Sequence, residues 1–82
     1  MRNIQTVIAQ IIAAIPPQPP SALTDNLTAL TAELSIINRT ASYWPPEVEN
    51  ELWSRLGAVC YRYLPPPTFA PWAAAISVII TQ

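Results

Sequence analysis

The sequence predicts an all-α fold: a small bundle of three to four helices joined by rigid, proline-rich corners. Apolar residues recur at helical spacing along most of the chain. Ten prolines fall in short runs between these periodic segments, where they begin or interrupt helices. Glycine occurs once, so the proline-rich connections are not flexible linkers. We expect residues 1–82 to form a single helical domain, with helices near 3–15, 21–43, 46–64 and 69–81 and the third in the middle.

The first segment matches the template of an amphipathic helix. Its apolar stripe is Ile4, Val7, Ile8, Ile11, Ile12 and Ile15. We interpret it as facing the core. The alternative, a helix lying in a membrane interface, usually carries Lys or Arg on its polar face, and this one has only Arg2. Residues 16–20 then predict an extended polyproline spacer. An SH3-type ligand is the alternative, but no basic residue flanks the prolines.

The second segment carries a regular seam of apolar residues. The seam is Leu23, Leu27, Leu30, Leu34, Ile37 and Ala41. It predicts a helix that packs on the first and third helices, with a homo-oligomeric seam as the alternative. Ser21 or Thr24 is expected to cap this helix. Ile36 lies off the seam and indicates a second contact face.

The third segment lies between Trp44 and Pro67 and has two adjacent apolar stripes. Pro46 suits the first helical turn, and Pro65 ends the helix. Two stripes predict two neighbouring helices. Gly57 costs about 1 kcal/mol against alanine in a helix. We therefore expect another backbone to approach closely there, in a crossing formed by Trp53, Gly57 and Cys60, so that leucine would be worse at Gly57 than at Ala58. Simple tolerance of one glycine is the alternative.

The C-terminal segment is apolar on nearly every side. Residues 76–81 are rich in β-branched side chains and are compatible with a strand, but the helical context and three alanines favour a helix. A segment of this kind lies either in the centre of the core or under a partner. The face of the third helix that carries Glu51, Arg55 and Arg62 is expected to stay outside the partner contact. The expected partner-contact residues are Ile36, Phe69, Trp72, Ile76, Ile79 and Ile80.

The residues needed for most enzymatic chemistry are missing. Histidine is absent, so Cys60 has no imidazole partner and is expected to act as a small hydrophobe. No glycine-rich loop could hold a phosphate. Four arginines, no lysine and a net charge of −1 argue against nucleic acid as the main ligand. We expect no enzymatic activity, no catalytic residues, no cofactor and no metal.

The surface is expected to need a partner. Hydrophobic residues make up 51% of the chain and charged residues 11%, against about 25% in typical soluble domains. This predicts a non-enzymatic structural or accessory subunit, such as a virion cement or connector protein, in a homo-oligomer or a hetero-assembly. The alternatives are a soluble binding module that acts as adaptor or inhibitor and, more weakly, a membrane-associated protein. No secretion signal and no run of about 18 apolar residues is seen, so the expected location is intracellular or within a virion, and a membrane partner is not expected.

Overall fold

The computed structural model of the protein describes residues 3–66, 68 and 70–81. They form four α-helices: α1 (Ile4–Ala14), α2 (Thr24–Tyr43), α3 (Glu49–Tyr63) and α4 (Pro71–Thr81). One turn of 3-10 helix precedes α2 (Ser21–Leu23) and another precedes α3 (Pro46–Val48). No strand occurs within the described ranges, so the predicted all-α fold is confirmed, and the β-branched C-terminal segment is a helix.

Proline ends three of the helices in the same way. α1, α2 and α3 each stop one residue before an X-Pro bond, and the cap residues Ile15, Trp44 and Leu64 are all extended, with ψ of 128°, 142° and 137°. Proline forces this geometry because its Cδ clashes with a helical residue before it. Each cap still donates its N–H back to the last turn, as Leu64 does to the Cys60 carbonyl at 2.9 Å. The predicted helix stops are therefore confirmed.

The helix starts differ from the expected side-chain caps. Asn3 caps α1, because its Oδ1 accepts a hydrogen bond from the Thr6 N–H at 3.1 Å. The prediction that Ser21 or Thr24 caps α2 is wrong. Ser21 lies in the 3-10 turn and Thr24 is already helical, and the start is closed by the Leu23 N–H on the Pro20 carbonyl at 2.8 Å. The chain also bends at residues 17–18, so the spacer is not one continuous polyproline helix.

The helices follow one another around the bundle in the order α4, α1, α2, α3, and a groove separates α3 from α4. The closely packed pairs are α2 with α3, α1 with α4, and α1 with α2. α1 and α2 each pack closely against two other helices and α3 against one, so the prediction that the third helix lies in the middle is wrong. The physical reason is that the seam of α2 is buried throughout its central part, whereas the second stripe of α3 is covered only in part, with Gly57 and Trp53 half-buried.

The core is entirely apolar in the described residues. The seam of α2 lies inside the chain, as predicted, with Leu30 and Leu34 fully buried. No polar or charged side chain of the described residues is buried. The largest fully buried side chains are Ile8, Ile11, Leu30, Leu34, Ile37, Leu56, Cys60 and Ile76.

The space beside Gly57 is open. A Cβ built on Gly57 meets no atom within 4 Å, so no described part of the chain crosses close to this residue. The prediction of a close helix crossing at Trp53, Gly57 and Cys60 is therefore wrong, because no described part of the chain approaches Gly57. Cys60 is instead part of the core, and the Trp53 indole N–H donates to Glu49 Oε1 at 3.4 Å. Gly57 faces a groove between α3 and α4.

We expect Gly57→Ala to stabilise the isolated protein by about 0.5–1 kcal/mol, because alanine favours the helix and the added methyl group meets nothing. The matched control is Ala58→Gly at the next, exposed position, which should destabilise by a similar amount. Chemical denaturation of both variants beside the wild type measures the two effects. A loss of stability in Gly57→Ala would restore the idea of a close contact at this position.

Candidate functional site

A groove between α1 and α2 is bordered by two exposed isoleucines. Ile12 on α1 is 37% exposed and Ile36 on α2 is 44% exposed. The groove has a volume of about 510 Å³. Its lining consists of Gln5, Ile8, Ala9, Ile12, Ala32, Ser35, Ile36, Asn38 and Arg39. Two aliphatic side chains therefore remain at the surface after the helices have packed.

A second groove lies on the other side of Ile36, between α2 and α3. Its volume is about 360 Å³, and its lining consists of Glu33, Ile36, Ile37, Arg55, Ala58, Val59 and Arg62. Ile36 thus stands on a ridge shared by the two grooves. We call the combined lining of the two grooves the Ile36 face.

The sequence of α2 produces this ridge. Leu34 and Ile37 both point into the core, and Ile36 is about 200° and 100° around the helix from them, so it must point outward. Alanines flank the ridge, with Ala32 on α2, Ala9 on α1 and Ala58 on α3. Their side chains are too short to fill the space between the helices. The Ile36 face is therefore a ridge between two depressions, a shape that another helix can match.

Gln5 fixes α1 to α2 at the end of the first groove. Its Nε2 donates to the Asn38 carbonyl at 3.1 Å and to Ser42 Oγ at 2.9 Å. These bonds join two different helices, so they set how α1 and α2 are aligned lengthwise. The α1/α2 groove is consequently a fixed feature of the packed bundle.

The basic groups of the described chain concentrate on the Ile36 face. Arg39 lines the first groove, and Arg55 and Arg62 line the second. Within residues 3–66, 68 and 70–81, none of these three arginines forms an ion pair. The Arg55 guanidinium lies 5.9 Å from the centre of the Trp44 ring, and that of Arg62 lies 6.0 Å from the Tyr63 ring. Such cation–π contacts contribute about 0.5–1 kcal/mol at exposed sites and leave the positive charge accessible.

The predicted partner-contact residues differ in how exposed they are in the structure. Ile36 is exposed. Ile76 is 0% exposed, so its prediction as a contact residue is wrong. The half-buried residues Trp72, Ile79 and Ile80 pack against the core, and Phe69 lies outside the described residues. The physical reason is that α4 turns Ala73 and Ile76 inward against α1, which leaves Val78 as its most exposed large apolar residue.

Ile12 was missed by the sequence reasoning. Its spacing matches the apolar stripe of α1, and it was therefore assigned to the core. Ile11 and Ile12 are adjacent, however, and lie about 100° apart around a helix. The width of the apolar stripe could have indicated this. Ile11 is fully buried, and Ile12, the next residue, lies at the edge of the stripe.

Apart from the Ile36 face, the surface has a third groove, which lies beside Gly57. It has a volume of about 500 Å³ and no charged residue in its lining, which consists of Gly57, Cys60, Tyr61, Leu64, Pro65, Pro66, Ser77, Ile80 and Thr81. Two of its hydroxyls are already engaged within α4. Ser77 donates to the Ala73 carbonyl at 3.1 Å, and Thr81 donates to the Ser77 carbonyl at 3.0 Å. The groove therefore offers mainly apolar contacts.

Cys60 lies at the floor of this groove but is 1% exposed. Burial raises the pKa of its thiol from 9.0 to about 11, because the thiolate would lose its hydration. The thiol is thus protonated and a poor nucleophile at neutral pH. It packs with the core residues, as a small hydrophobe would.

The pKa of Cys60 predicts a loss of stability at alkaline pH. Below pH 9.0 both the folded and the unfolded chain hold the thiol proton, and between 9.0 and about 11 only the folded chain does. Unfolding is therefore favoured as pH rises through this window, by up to about 2 kcal/mol. Chemical denaturation of the wild type and Cys60→Ala from about pH 8 to 11 isolates the effect. Parallel pH profiles for the two proteins would contradict it.

The described residues contain no group of three or more His, Cys, Asp or Glu side chains that could hold a metal ion. No α-helix in the same part of the chain has both the length and the apolar character required to cross a membrane. Comparisons with protein-family models, with curated proteins and with solved structures gave no match to this chain.

Proposed function

We propose that this protein is a non-enzymatic structural or accessory subunit of a larger protein assembly and that it acts through helical protein–protein contacts. The observation that carries the proposal is the Ile36 face. Two exposed isoleucines, Ile12 and Ile36, border one groove, and Ile36 separates it from another. Apolar groups grouped beside helical grooves are typical of a surface that another protein covers.

The energetics of burial support this proposal. Covering apolar surface contributes about 25 cal/mol per Å², and the half-exposed Ile12 and Ile36 offer such surface without any change in the fold. Arginines around an aliphatic centre also match the usual design of a protein interface, in which a polar rim surrounds an apolar core. The subunit would contribute a preformed helical surface to its assembly, and a virion is one assembly to which the proposal applies.

A soluble binding module is the second candidate, and the charged margin of the Ile36 face favours it. Arg39, Arg55 and Arg62 border the face, and charged margins are typical of partners that associate reversibly. A module of this class would cover a site on its partner as an adaptor or inhibitor. The membrane-associated alternative has less support, because the side chains that α1 would insert into lipid, Ile4, Val7, Ile8 and Ile11, are buried in the core.

The two candidates differ in the behaviour of the purified chain. Size-exclusion chromatography with light scattering over a range of concentrations measures its mass in solution. A structural subunit should form a stable oligomer or should stay soluble only with its partner. A clean, soluble monomer at every concentration favours the binding module. Copurification from the native source then tests the structural role, because a subunit should elute with the assembly at a fixed ratio.

A further inference from the structure

We infer that the Ile36 face binds an amphipathic helix of a partner protein that carries Asp or Glu beside its apolar residues. The inference rests on the proposed function and names the chemistry of the partner. The partner helix would lie along α2, with its apolar residues on Ile36 and its carboxylates beside the arginines on either side.

The charge distribution supports an acidic partner. The whole protein has a net charge of −1, yet three of its four basic residues line the Ile36 face, accompanied by a single carboxylate, Glu33. The four other carboxylates, Asp25, Glu47, Glu49 and Glu51, are not among the residues that line either groove. The face is thus locally positive on a protein that is otherwise negative. A complementary partner must be acidic, because like charges across an interface cost several kcal/mol.

The shape of the face supports a helix as the acidic element. Ile36 and its flanking alanines form a ridge between two depressions, and side chains at helical spacing fit into such grooves. Arg55 and Arg62 are seven residues apart on α3, which places them about 10 Å apart along one side of the ridge. Carboxylates two turns apart on a partner helix would match that separation. Arg39 is reached from the other side of the ridge.

The lining also distinguishes a protein helix from a nucleic acid. Proteins that bind single strands stack bases on aromatic side chains, and neither groove of the Ile36 face has an aromatic residue in its lining. The centre of the face is the aliphatic Ile36, which offers a phosphate group no favourable contact. Apolar residues with carboxylates beside them fit this surface better than a phosphate backbone does.

Nuclear magnetic resonance tests the inference with defined probes. The probe is a synthetic helical peptide with leucines on one face and glutamates beside them, and its control is the same peptide with lysine in place of each glutamate. The glutamate peptide should shift the backbone amides of Ala32, Ser35, Ile36 and Ala58, and its binding should weaken as salt rises. The lysine peptide should bind at least tenfold more weakly.

Three protein variants locate the interaction. Arg39→Gln, Arg55→Gln and Arg62→Gln combined should weaken binding of the glutamate peptide about tenfold, because each exposed ion pair contributes only a small factor. Ile36→Lys should remove the binding, whereas Val78→Lys, at an exposed apolar position on α4, should leave it unchanged. A thermal melt of each variant checks that it remains folded.

Several outcomes would overturn the inference. These are equal binding of the two peptides, shifts confined to the groove beside Gly57, no binding at all, or stronger binding of a single-stranded oligonucleotide at the same amides. A dimer of the wild type whose contact includes Ile36 would also overturn it, because a second copy would then occupy the face. If the glutamate peptide does not bind but Ile36→Lys still disrupts assembly, this inference fails and the proposed function stands. If Ile36→Lys leaves assembly intact, both fail.

Discussion

Leu34→Asp is expected to unfold the protein. Leu34 is fully buried in the seam of α2, with buried residues one turn away on both sides. Removing the leucine side chain alone costs about 2–5 kcal/mol, and the aspartate adds an unpaired charge or the cost of protonating it. A chain of 82 residues has a total stability of about 4–12 kcal/mol. The combined loss, about 5 kcal/mol or more, is therefore comparable with the whole stability.

The control for this prediction lies on the same helix. Ile36→Asp introduces the same residue two positions away, where the side chain reaches water, and should change stability by only about 0.5 kcal/mol. Circular dichroism with thermal melting compares the two variants, and Leu30→Asp should behave like Leu34→Asp. A folded Leu34→Asp protein with unchanged melting would mean that the seam is not the core.

Ile76→Lys is expected to cause the second largest loss of stability. Ile76 is the fully buried centre of the inward face of α4, which packs against α1. Lysine there loses the packing of the isoleucine and must either bury its ammonium group or lose its proton, at a cost of about 3–5 kcal/mol. Chemical denaturation should show this loss directly.

Val78→Lys is the matched control for Ile76→Lys. Val78 is 54% exposed on the opposite side of α4, so its replacement should change stability by less than about 0.5 kcal/mol. The same pair of variants decides between core and contact roles for α4. If Ile76→Lys keeps its stability and instead loses association with other chains, α4 is a contact helix and Ile76 lies in an interface.

The ends of the helices could be predicted from the sequence because their cause is local. Proline excludes helical geometry at the residue before it, whatever the rest of the chain does. Ile15, Trp44 and Leu64 consequently end their helices at positions that the sequence alone defines. The seam of α2 was predictable for a similar reason, because its regular spacing leaves only one face that can be buried.

The neighbours of each helix could not be predicted in the same way. Periodicity shows which face of a helix is apolar but not which other helix covers it. α3 has two apolar stripes, and the inference of two close neighbours followed from them. In the structure the second stripe partly faces the open groove at Gly57, and α2 is the neighbour that packs most closely. The glycine was therefore explained by a contact that the fold does not make.

The candidate site was predicted only in part. Ile36 could be predicted because it is an apolar residue that lies off the regular seam of α2. The sequence placed Arg55 and Arg62 on a face expected to lie outside the contact. Their position beside Ile36 depends on how α2 and α3 are aligned, which periodicity does not give. The contact residues of α4 were harder to predict, because apolar residues lie on nearly every side of that helix. Ile76 shares a helical face with Trp72 and Ile79, but spacing does not show whether such a face meets the core or a partner. Ile76 was therefore assigned to a contact, and it is buried instead.

We propose that the Ile36 face is the surface through which this protein joins an assembly. The most direct test is an assembly assay, by light scattering or by copurification, on Ile36→Lys beside Val78→Lys, with a thermal melt of each. Both variants place one lysine at an exposed aliphatic position on a helix. We expect Ile36→Lys to lower assembly at least tenfold, while Val78→Lys assembles normally and both variants melt like the wild type. Normal assembly of Ile36→Lys, or a loss in Val78→Lys alone, would contradict the claim.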